Sequence, residues 1–316
     1  MTYVFMCFVI LIIMMIFSQV KHINRSKRIK LLRNSKPYWI HVSGFHHSGT
    51  GVLRNMLIRD LDATTLRTAV QLPTQDEGHW MQDVYPCFKN RNVCSTLDHV
   101  LRQYTCPMML EKYLQSDYKT RQEISKKLES QWMQHIEDPS KTIIIQKTPT
   151  FDMLYLDTVL PNSAHALVMR HPYHWHWGPG KKVKNMCNNA WDCFQAWKAV
   201  WSKAFQDLKK VNEYVVFQYE VLPEKIDWNP RRQQRRRLEF RGNKIDFDKF
   251  RDIKNKYHDK HWNSITPEMY VKLAKWEKFV QMHFGYSLLN RTNAFVSVKC
   301  CKLASKDMPF EAEFHV

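Results

Sequence analysis

A run of small and polar residues lies between a strand pattern and a helix pattern at residues 37–61. Residues 37–43 alternate aromatic and β-branched side chains, as strands do, and residues 52–61 carry apolar side chains at helical spacing. The connecting residues 44–51 are Gly-Phe-His-His-Ser-Gly-Thr-Gly. Small residues let backbone N–H groups turn toward a phosphate, and the following helix adds its positive end. The unit predicts a phosphate-binding strand, loop and helix; a plain strand-to-helix turn is the alternative.

The loop departs from the nucleoside-triphosphatase pattern at one position. A Walker A loop places Lys directly after the second glycine, and this chain has Thr50 there. Hydrolysis of ATP or GTP with a Lys on the β- and γ-phosphates is therefore disfavoured. The loop instead predicts a site for a short phosphate or phosphosulfate, with the Ser48 and Thr50 hydroxyls and the His47 imidazole as added donors.

Three further strand patterns end in polar or charged residues. These patterns are residues 141–146, 165–169 and 214–217. Lys147 and Arg170 directly follow the first two, and Tyr219 lies two residues beyond the third. Helical patterns at residues 110–134 and 191–210 separate the strands. The alternation predicts an α/β fold with a central, mainly parallel sheet, whose functional groups gather at the carboxyl ends of the strands.

The N-terminal segment has the composition of a membrane anchor. The first 20 residues carry no charged side chain, and residues 4–17 are almost wholly Val, Ile, Leu, Met and Phe. We predict a transmembrane signal-anchor over residues 1–20 and a basic stem over residues 21–36 that suits anionic lipid headgroups. A cleaved signal peptide is the alternative. The positive-inside rule would keep the following chain in the cytosol, whereas the sequon at residues 290–292 fits a luminal body.

Net charge and cysteine spacing exclude only some classes of binding partner and ligand. Forty-eight Lys plus Arg against 30 Asp plus Glu give a net charge of +18, which favours polyanionic neighbours such as anionic lipid, phosphonucleotides, acidic glycans or nucleic acid. No recognition helix or RNA-binding signature accompanies the charge, so no nucleic acid is expected. The cysteine spacings 87 to 94 and 187 to 193 are compatible with luminal disulfides, and no Cys/His spacing predicts a metal site.

The loop and strand ends together resemble the motifs of PAPS-dependent sulfotransferases of the membrane-bound, carbohydrate and tyrosylprotein type. Residues 47–51 are similar to the family's 5′-phosphosulfate loop, with His47 for the usual Lys or Arg and Gly51 for the second Thr or Ser. Residues 166–172 resemble its strand ending in an Arg that binds the 3′-phosphate, with Gly178 in place of a Ser. Further resembling segments are residues 76–86, 146–149, 217–222 and 284–288. The match runs in the expected order from about residue 38 to 289.

The resemblance implies a P-loop NTPase-like, three-layer α/β/α domain over residues 37–290, followed by a tail at 291–316. Its expected reaction moves a sulfuryl group from PAPS to a hydroxyl of a glycan, tyrosyl protein or lipid, leaves PAP and requires no metal. Glu77 would be the general base, and His47 and Lys147 would offset charge on the leaving oxygen. The donor would be bound by His46, His47, Ser48, Gly49, Thr50, Gly51, Arg170, Gly178 and Tyr219.

The implied setting is a single-pass membrane protein of the Golgi with a luminal catalytic domain. Two other functions stay open. The losses at Gly51 and Gly178 motivate a catalytically impaired relative that keeps the fold as a binding or scaffold protein. A basic nucleic-acid-binding protein is a distant alternative that rests on net charge alone.

Overall fold

The computed structural model describes residues 37–45, 48–67, 78, 81–84, 107–173, 189–219, 222, 263–284 and 286–290. Five strands within this part form one sheet in the order β2-β3-β1-β4-β5, and every pairing is parallel. The strands are β1 (Tyr38–Gly44), β2 (Thr64–Thr65), β3 (Ile143–Lys147), β4 (Ser163–Met169) and β5 (Tyr214–Gln218). The central strand is β1, and all carboxyl ends meet at one edge of the sheet.

Six helices connect or follow the strands in the described part of the chain. They are α1 (Thr50–Asp60), α2 (Pro107–Gln115), α3 (Tyr118–Met133), α4 (Met153–Val159), α5 (Ala190–Leu208) and α6 (Pro267–Phe284). Two of these helices begin at a residue whose side chain caps the first turn. Asp117 accepts a hydrogen bond from the Thr120 amide at the start of α3, and Asn189 accepts one from the Asp192 amide at the start of α5.

One face of the sheet is covered by α1. Ile40 and Val42 of β1 pack with Leu53 and Leu57 of this helix in one buried apolar cluster. Alternate residues of β1 point to the opposite face, because successive side chains of a strand lie on opposite sides. We call the face that α1 covers the α1 face.

The opposite face is covered by the remaining long helices. Trp39 packs with Trp132 of α3 and Leu156 of α4 in one cluster. Leu167 of β4 packs with Trp201 of α5 in a second cluster, to which α6 also contributes. Helices therefore lie on both sides of the sheet, in three layers, and the predicted α/β class with a central parallel sheet is confirmed.

A polar row crosses the middle of this second face, between the two apolar clusters. His41 is in register with Gln146 of β3 and with His165 of β4, and all three side chains are buried. The rings of His41 and His165 are 5.2 Å apart, and Asp157 of α4 lies 3.7 Å from the His165 ring nitrogen Nε2. Burial lowers the pKa of His41 well below 6.5, and His165 lowers it further, so His41 is neutral in the folded protein.

Several predicted elements differ from those observed. The single helix predicted over residues 110–134 is two helices, because Asp117 caps a new start at α3. Neither β2 nor α6 was predicted. The predicted membrane segment 1–20, stem 21–36 and tail 291–316 lie outside the described residues, and none of the described helices is long and apolar enough to span a bilayer.

Candidate functional site

The register of the sheet aligns the ends of four strands. Val42 pairs with Lys147, Gly44 with Val168, and Met169 with Gln218. The residues that follow β1, β4 and β5 therefore emerge at one edge, where Lys147 ends β3. Open α/β sheets bind ligands at this edge, in the crevice where neighbouring strands connect to opposite faces. In this sheet the connection after β1 passes to the α1 face, whereas the connections after β3 and β4 pass to the opposite face.

Three of the predicted donor-binding residues touch one another at this edge. The ring of Tyr219 lies against the backbone of Gly49, so closely that a Cβ on Gly49 would overlap ring carbons Cδ2 and Cε2 and approach Cγ to 3.2 Å. The Arg170 guanidinium lies over the same ring, 4.7 Å from the Tyr219 ring centroid. The loop after β1 and the ends of β4 and β5 are thus joined through one aromatic ring.

The start of α1 presents backbone donors at the same place. Gly49 is the N-cap, with φ 102° and ψ 14°; glycine has no side chain to cap the first turn, which also contains no acidic residue. The first N–H groups of a helix have no partner within the helix, and the helix dipole is positive at this end. The first turn of α1, which includes Thr50 and Gly51, can therefore offer its amides to an anion.

Ser48 lies in the loop after β1 and bonds to the backbone of the loop itself. Its side chain is fully buried, and its hydroxyl donates to the Phe45 carbonyl oxygen at 2.7 Å. The Ser48 amide donates to the same oxygen at 3.1 Å. With its single proton committed, the hydroxyl closes the loop in this structure, and its contact with a phosphate stays a prediction.

Lys147 emerges on the α1 side of this edge. It is half-buried and shares its register position with Val42, whose side chain packs in the α1 cluster. The next residue continues the pairing, since the Thr148 amide donates to the Val42 carbonyl at 3.1 Å. Because the residues before and after Lys147 are both paired with β1, the Lys147 ammonium extends from a fixed strand end.

Some predicted residues fall outside the described part of the chain. They are His46, His47, Glu77 and Gly178. Gly78, which follows Glu77, is described and lies against the Gln146 side chain at the end of β3. The acidic segment of the sequence is thus connected to the same edge of the sheet.

His171, which begins the histidine-rich run of the sequence, is part of the core. Its Nδ1 accepts a hydrogen bond from the Tyr173 amide at 3.1 Å, so its Nε2, 2.9 Å from the Ser287 carbonyl, is the protonated nitrogen. Both ring nitrogens are therefore occupied within the protein. Among the described residues, no group of three or more His, Cys, Asp or Glu side chains is placed to hold a metal ion.

Sequence reasoning missed Asp152. This carboxyl lies five residues beyond Lys147 and is buried; Oδ1 accepts a hydrogen bond from the Thr150 hydroxyl at 2.6 Å, and Oδ2 has no hydrogen-bond partner. Burial raises its pKa from 3.8 to about 7. The only sequence signal was a carboxylate between the apolar residues Phe151 and Met153, which gives no indication of burial.

No protein-family model and no curated protein matches this chain. The motifs and their convergence at one edge of the sheet are therefore the basis on which a function can be proposed.

The two glycines of the loop give opposite predictions. Gly49→Ala places a methyl group against the Tyr219 ring at a left-handed backbone position and is expected to lower the free energy of unfolding by about 2 kcal/mol or more. Gly51→Ala is the matched control: no residue in the described part of the chain lies within 4 Å of its added Cβ, and alanine in a helix stabilises by roughly 0.5–1 kcal/mol. Urea unfolding measures both values. Equal effects of the two substitutions would contradict this loop geometry.

Asp152→Asn is expected to stabilise the protein in a pH-dependent manner. The carboxyl has a raised pKa, so the folded state binds more protons than the unfolded state between pH 3.8 and about 7, and stability falls as the pH rises through this window. Asparagine keeps the acceptor for Thr150 and removes the charge. The gain should approach zero near pH 4 and reach at most about 4 kcal/mol above pH 7.

Urea unfolding from pH 4 to 8 measures this gain. The exposed Glu111→Gln serves as a charge-matched control that should leave the slope with pH unchanged. A gain for Asp152→Asn that does not vary with pH would show that Asp152 is not a buried acid of raised pKa.

Proposed function

We propose that this protein is a PAPS-dependent sulfotransferase that moves a sulfuryl group to a hydroxyl of a glycan, tyrosyl protein or lipid. The observation that supports it most directly is the contact of Tyr219 with both Gly49 and Arg170. These three residues were assigned to donor binding from separate motifs, 121 and 49 residues apart along the chain. Their convergence is what a single donor site requires.

The donor would bind along the edge of the sheet, from the start of α1 to the end of β4. The uncapped first-turn amides of α1 and the Thr50 hydroxyl would hold the 5′-phosphosulfate. Arg170, stacked on Tyr219, would bind the 3′-phosphate as a charge-assisted donor. The proposed fold is accordingly the P-loop NTPase-like type, with a loop that binds phosphosulfate instead of a triphosphate.

Sulfuryl transfer requires in-line positioning, charge neutralisation and a base. The acceptor oxygen forms a bond to sulfur as the bond from sulfur to the 5′-phosphate oxygen breaks, and PAP carries away the electron pair. Lys147, with His47, would neutralise the charge that develops on this leaving oxygen. The Glu77 carboxylate would take the proton of the acceptor hydroxyl. This reaction needs no metal.

The proposed setting is the Golgi lumen, with residues 1–20 as the anchor. Cys193 on α5 is disulfide-bonded, and its partner lies outside the described residues. Disulfides persist in oxidising compartments, and the predicted 187 to 193 pair includes this residue. The sequon that begins at Asn290 is in keeping with the same compartment.

The first test is calorimetric titration of the full-length protein in detergent with PAP, with ATP as the comparison ligand. We expect PAP to bind, ATP to bind much more weakly, and Arg170→Ala to weaken PAP binding tenfold or more, about 1.4 kcal/mol.

Arg59→Ala is the matched control for this titration. It removes the same charge from an exposed side chain at the far end of α1, roughly 15 Å from its start. Absence of PAP binding by the folded parent, or equal losses in the two variants, would exclude the proposed donor site.

A second candidate is a sulfotransferase-fold protein that binds PAP without turnover. The glycine at position 51 supports this candidate, because the hydroxyl found there in the family is missing and no described residue lies within 4 Å of the Cβ position to replace it.

Gly51→Thr distinguishes the two candidates, since it restores the missing hydroxyl at a position where no described residue lies within 4 Å of the added Cβ. If the missing hydroxyl impairs the site, Gly51→Thr should raise the rate of PAPS conversion to PAP, measured by chromatography with N-acetyltyrosine ethyl ester as the model acceptor. Gly51→Val is the isosteric control and should not raise it. A parent that already turns over as fast as Gly51→Thr would remove the second candidate.

A further inference from the structure

Arg170, the candidate ligand of the 3′-phosphate, lies just beyond the paired part of β4. The last register pair of this strand is Met169 with Gln218. The Arg170 guanidinium lies over the Tyr219 ring, which packs against the apolar cluster of the α1 face. Because the strand pairing ends one residue earlier, the position of the Arg170 backbone depends on contacts from outside the sheet.

Trp197 of α5 supplies one of these contacts directly. Its indole Nε1–H donates a hydrogen bond to the Arg170 carbonyl oxygen at 2.9 Å. Trp197 packs with Met169 in the apolar cluster of the second face, so this bond reaches the Arg170 backbone from the side opposite the Tyr219 ring. The carbonyl and the guanidinium of Arg170 are thus contacted from the two faces of the sheet.

The Trp197 ring is itself held in place. It is buried and lies near the middle of α5, a helix whose start is capped by Asn189. Phe194 stacks on it with ring centroids 6.4 Å apart, and Tyr286 meets it edge-on at 6.5 Å. Because rings from α5 and from the segment after α6 pack against the indole, it cannot turn its N–H away from Arg170 without disturbing the core.

The residue after Arg170 is fixed by the same part of the molecule. His171 donates from Nε2 to the Ser287 carbonyl at 2.9 Å, and Glu277 of α6 holds this segment by accepting from the Leu288 amide at 2.6 Å. The end of β4 is therefore attached to α5 at Arg170 and to the segment after α6 at His171. A guanidinium that extends from a fixed backbone has less conformational freedom to lose when it binds a phosphate.

We propose that Trp197 is a positioning residue of the donor site: its indole N–H fixes the Arg170 backbone so that the guanidinium meets the 3′-phosphate of the nucleotide. This inference rests on the proposed function, because it assigns Trp197 to binding of the same donor. The role is distinct from core packing, which another large aromatic ring at this position would also provide. The hydrogen bond, and not the ring, carries it.

Trp197→Phe tests the hydrogen bond, because it removes the N–H and keeps an aromatic ring in the core. We expect this variant to raise the Kd for PAP about threefold to tenfold, the size of effect that one ordinary hydrogen bond can have. Calorimetric titration of the full-length protein in detergent measures the Kd. If Trp197→Phe does not fold, Trp197→benzothienylalanine, in which sulfur takes the place of the N–H, supplies the same measurement with the ring shape kept.

Trp201→Phe is the matched control. Trp201 is also fully buried and lies about one turn further along α5, and its indole nitrogen has no hydrogen-bond partner within the described part of the chain. The substitution removes the same atoms from the same core without removing a hydrogen bond. It should therefore leave the Kd for PAP within about twofold of the parent value.

A double-mutant cycle shows whether Trp197 acts through Arg170. In the Arg170→Ala background the guanidinium is gone, so Trp197→Phe should change the Kd for PAP by less than about twofold. A general loosening of the core would instead lower PAP affinity by the same factor in both backgrounds. The cycle thus separates positioning of Arg170 from a purely structural role of the ring.

Each outcome decides the inference. An unchanged Kd in the Trp197 variant, equal losses in Trp197→Phe and Trp201→Phe, or a loss that persists in full in the Arg170→Ala background would overturn the role of Trp197 while leaving the donor site intact. If folded parent protein binds no PAP, the proposed function itself fails, and the role of Trp197 fails with it.

Discussion

Parallel pairing of β1 with β3 on one side and β4 on the other is the constraint on which the rest of the molecule depends. It stacks residues that are more than 100 positions apart along the chain, such as Val42 and Lys147, and brings every strand to its end at the same edge. A parallel pair requires a crossover, so each strand must be followed by a helix or a long connection. The loop after β1, Lys147, Arg170 and Tyr219 reach one edge because their strands are parallel neighbours in the sheet.

Several polar groups are buried in the interior beside this sheet. The His41 and His165 rings leave three nitrogens without hydrogen bonds, and Asp152 leaves one carboxyl oxygen unpaired. Each such group costs about 1–3 kcal/mol of stability relative to a satisfied one. Tyrosine and tryptophan packing on the second face of the sheet offsets this cost. Buried polar groups retained beside a strand edge are a common mark of a functional site, where stability is given up for chemistry.

Sequence alone predicted β1, β3, β4 and β5, because they are short, mainly apolar segments with polar residues at their ends. It did not predict β2, since a two-residue strand such as Thr64–Thr65 has no period to detect. It also joined α2 to α3, because the break at Asp117 is set by a side-chain cap and not by a change of pattern. The contacts of Tyr219 with Gly49 and of Gln146 with Gly78 join residues 170 and 68 positions apart. Neither is visible before the sheet has been assembled.

The two loop glycines differ in whether the backbone geometry requires them. Gly49 is required by geometry, because its left-handed backbone starts α1 and its bare Cα receives the Tyr219 ring. No such need exists at Gly51, where a side chain would enter open space. The first-turn amides of α1 have no partner within the helix and lie at the positive end of its dipole, so this part of the loop is where a bound anion would be stabilised.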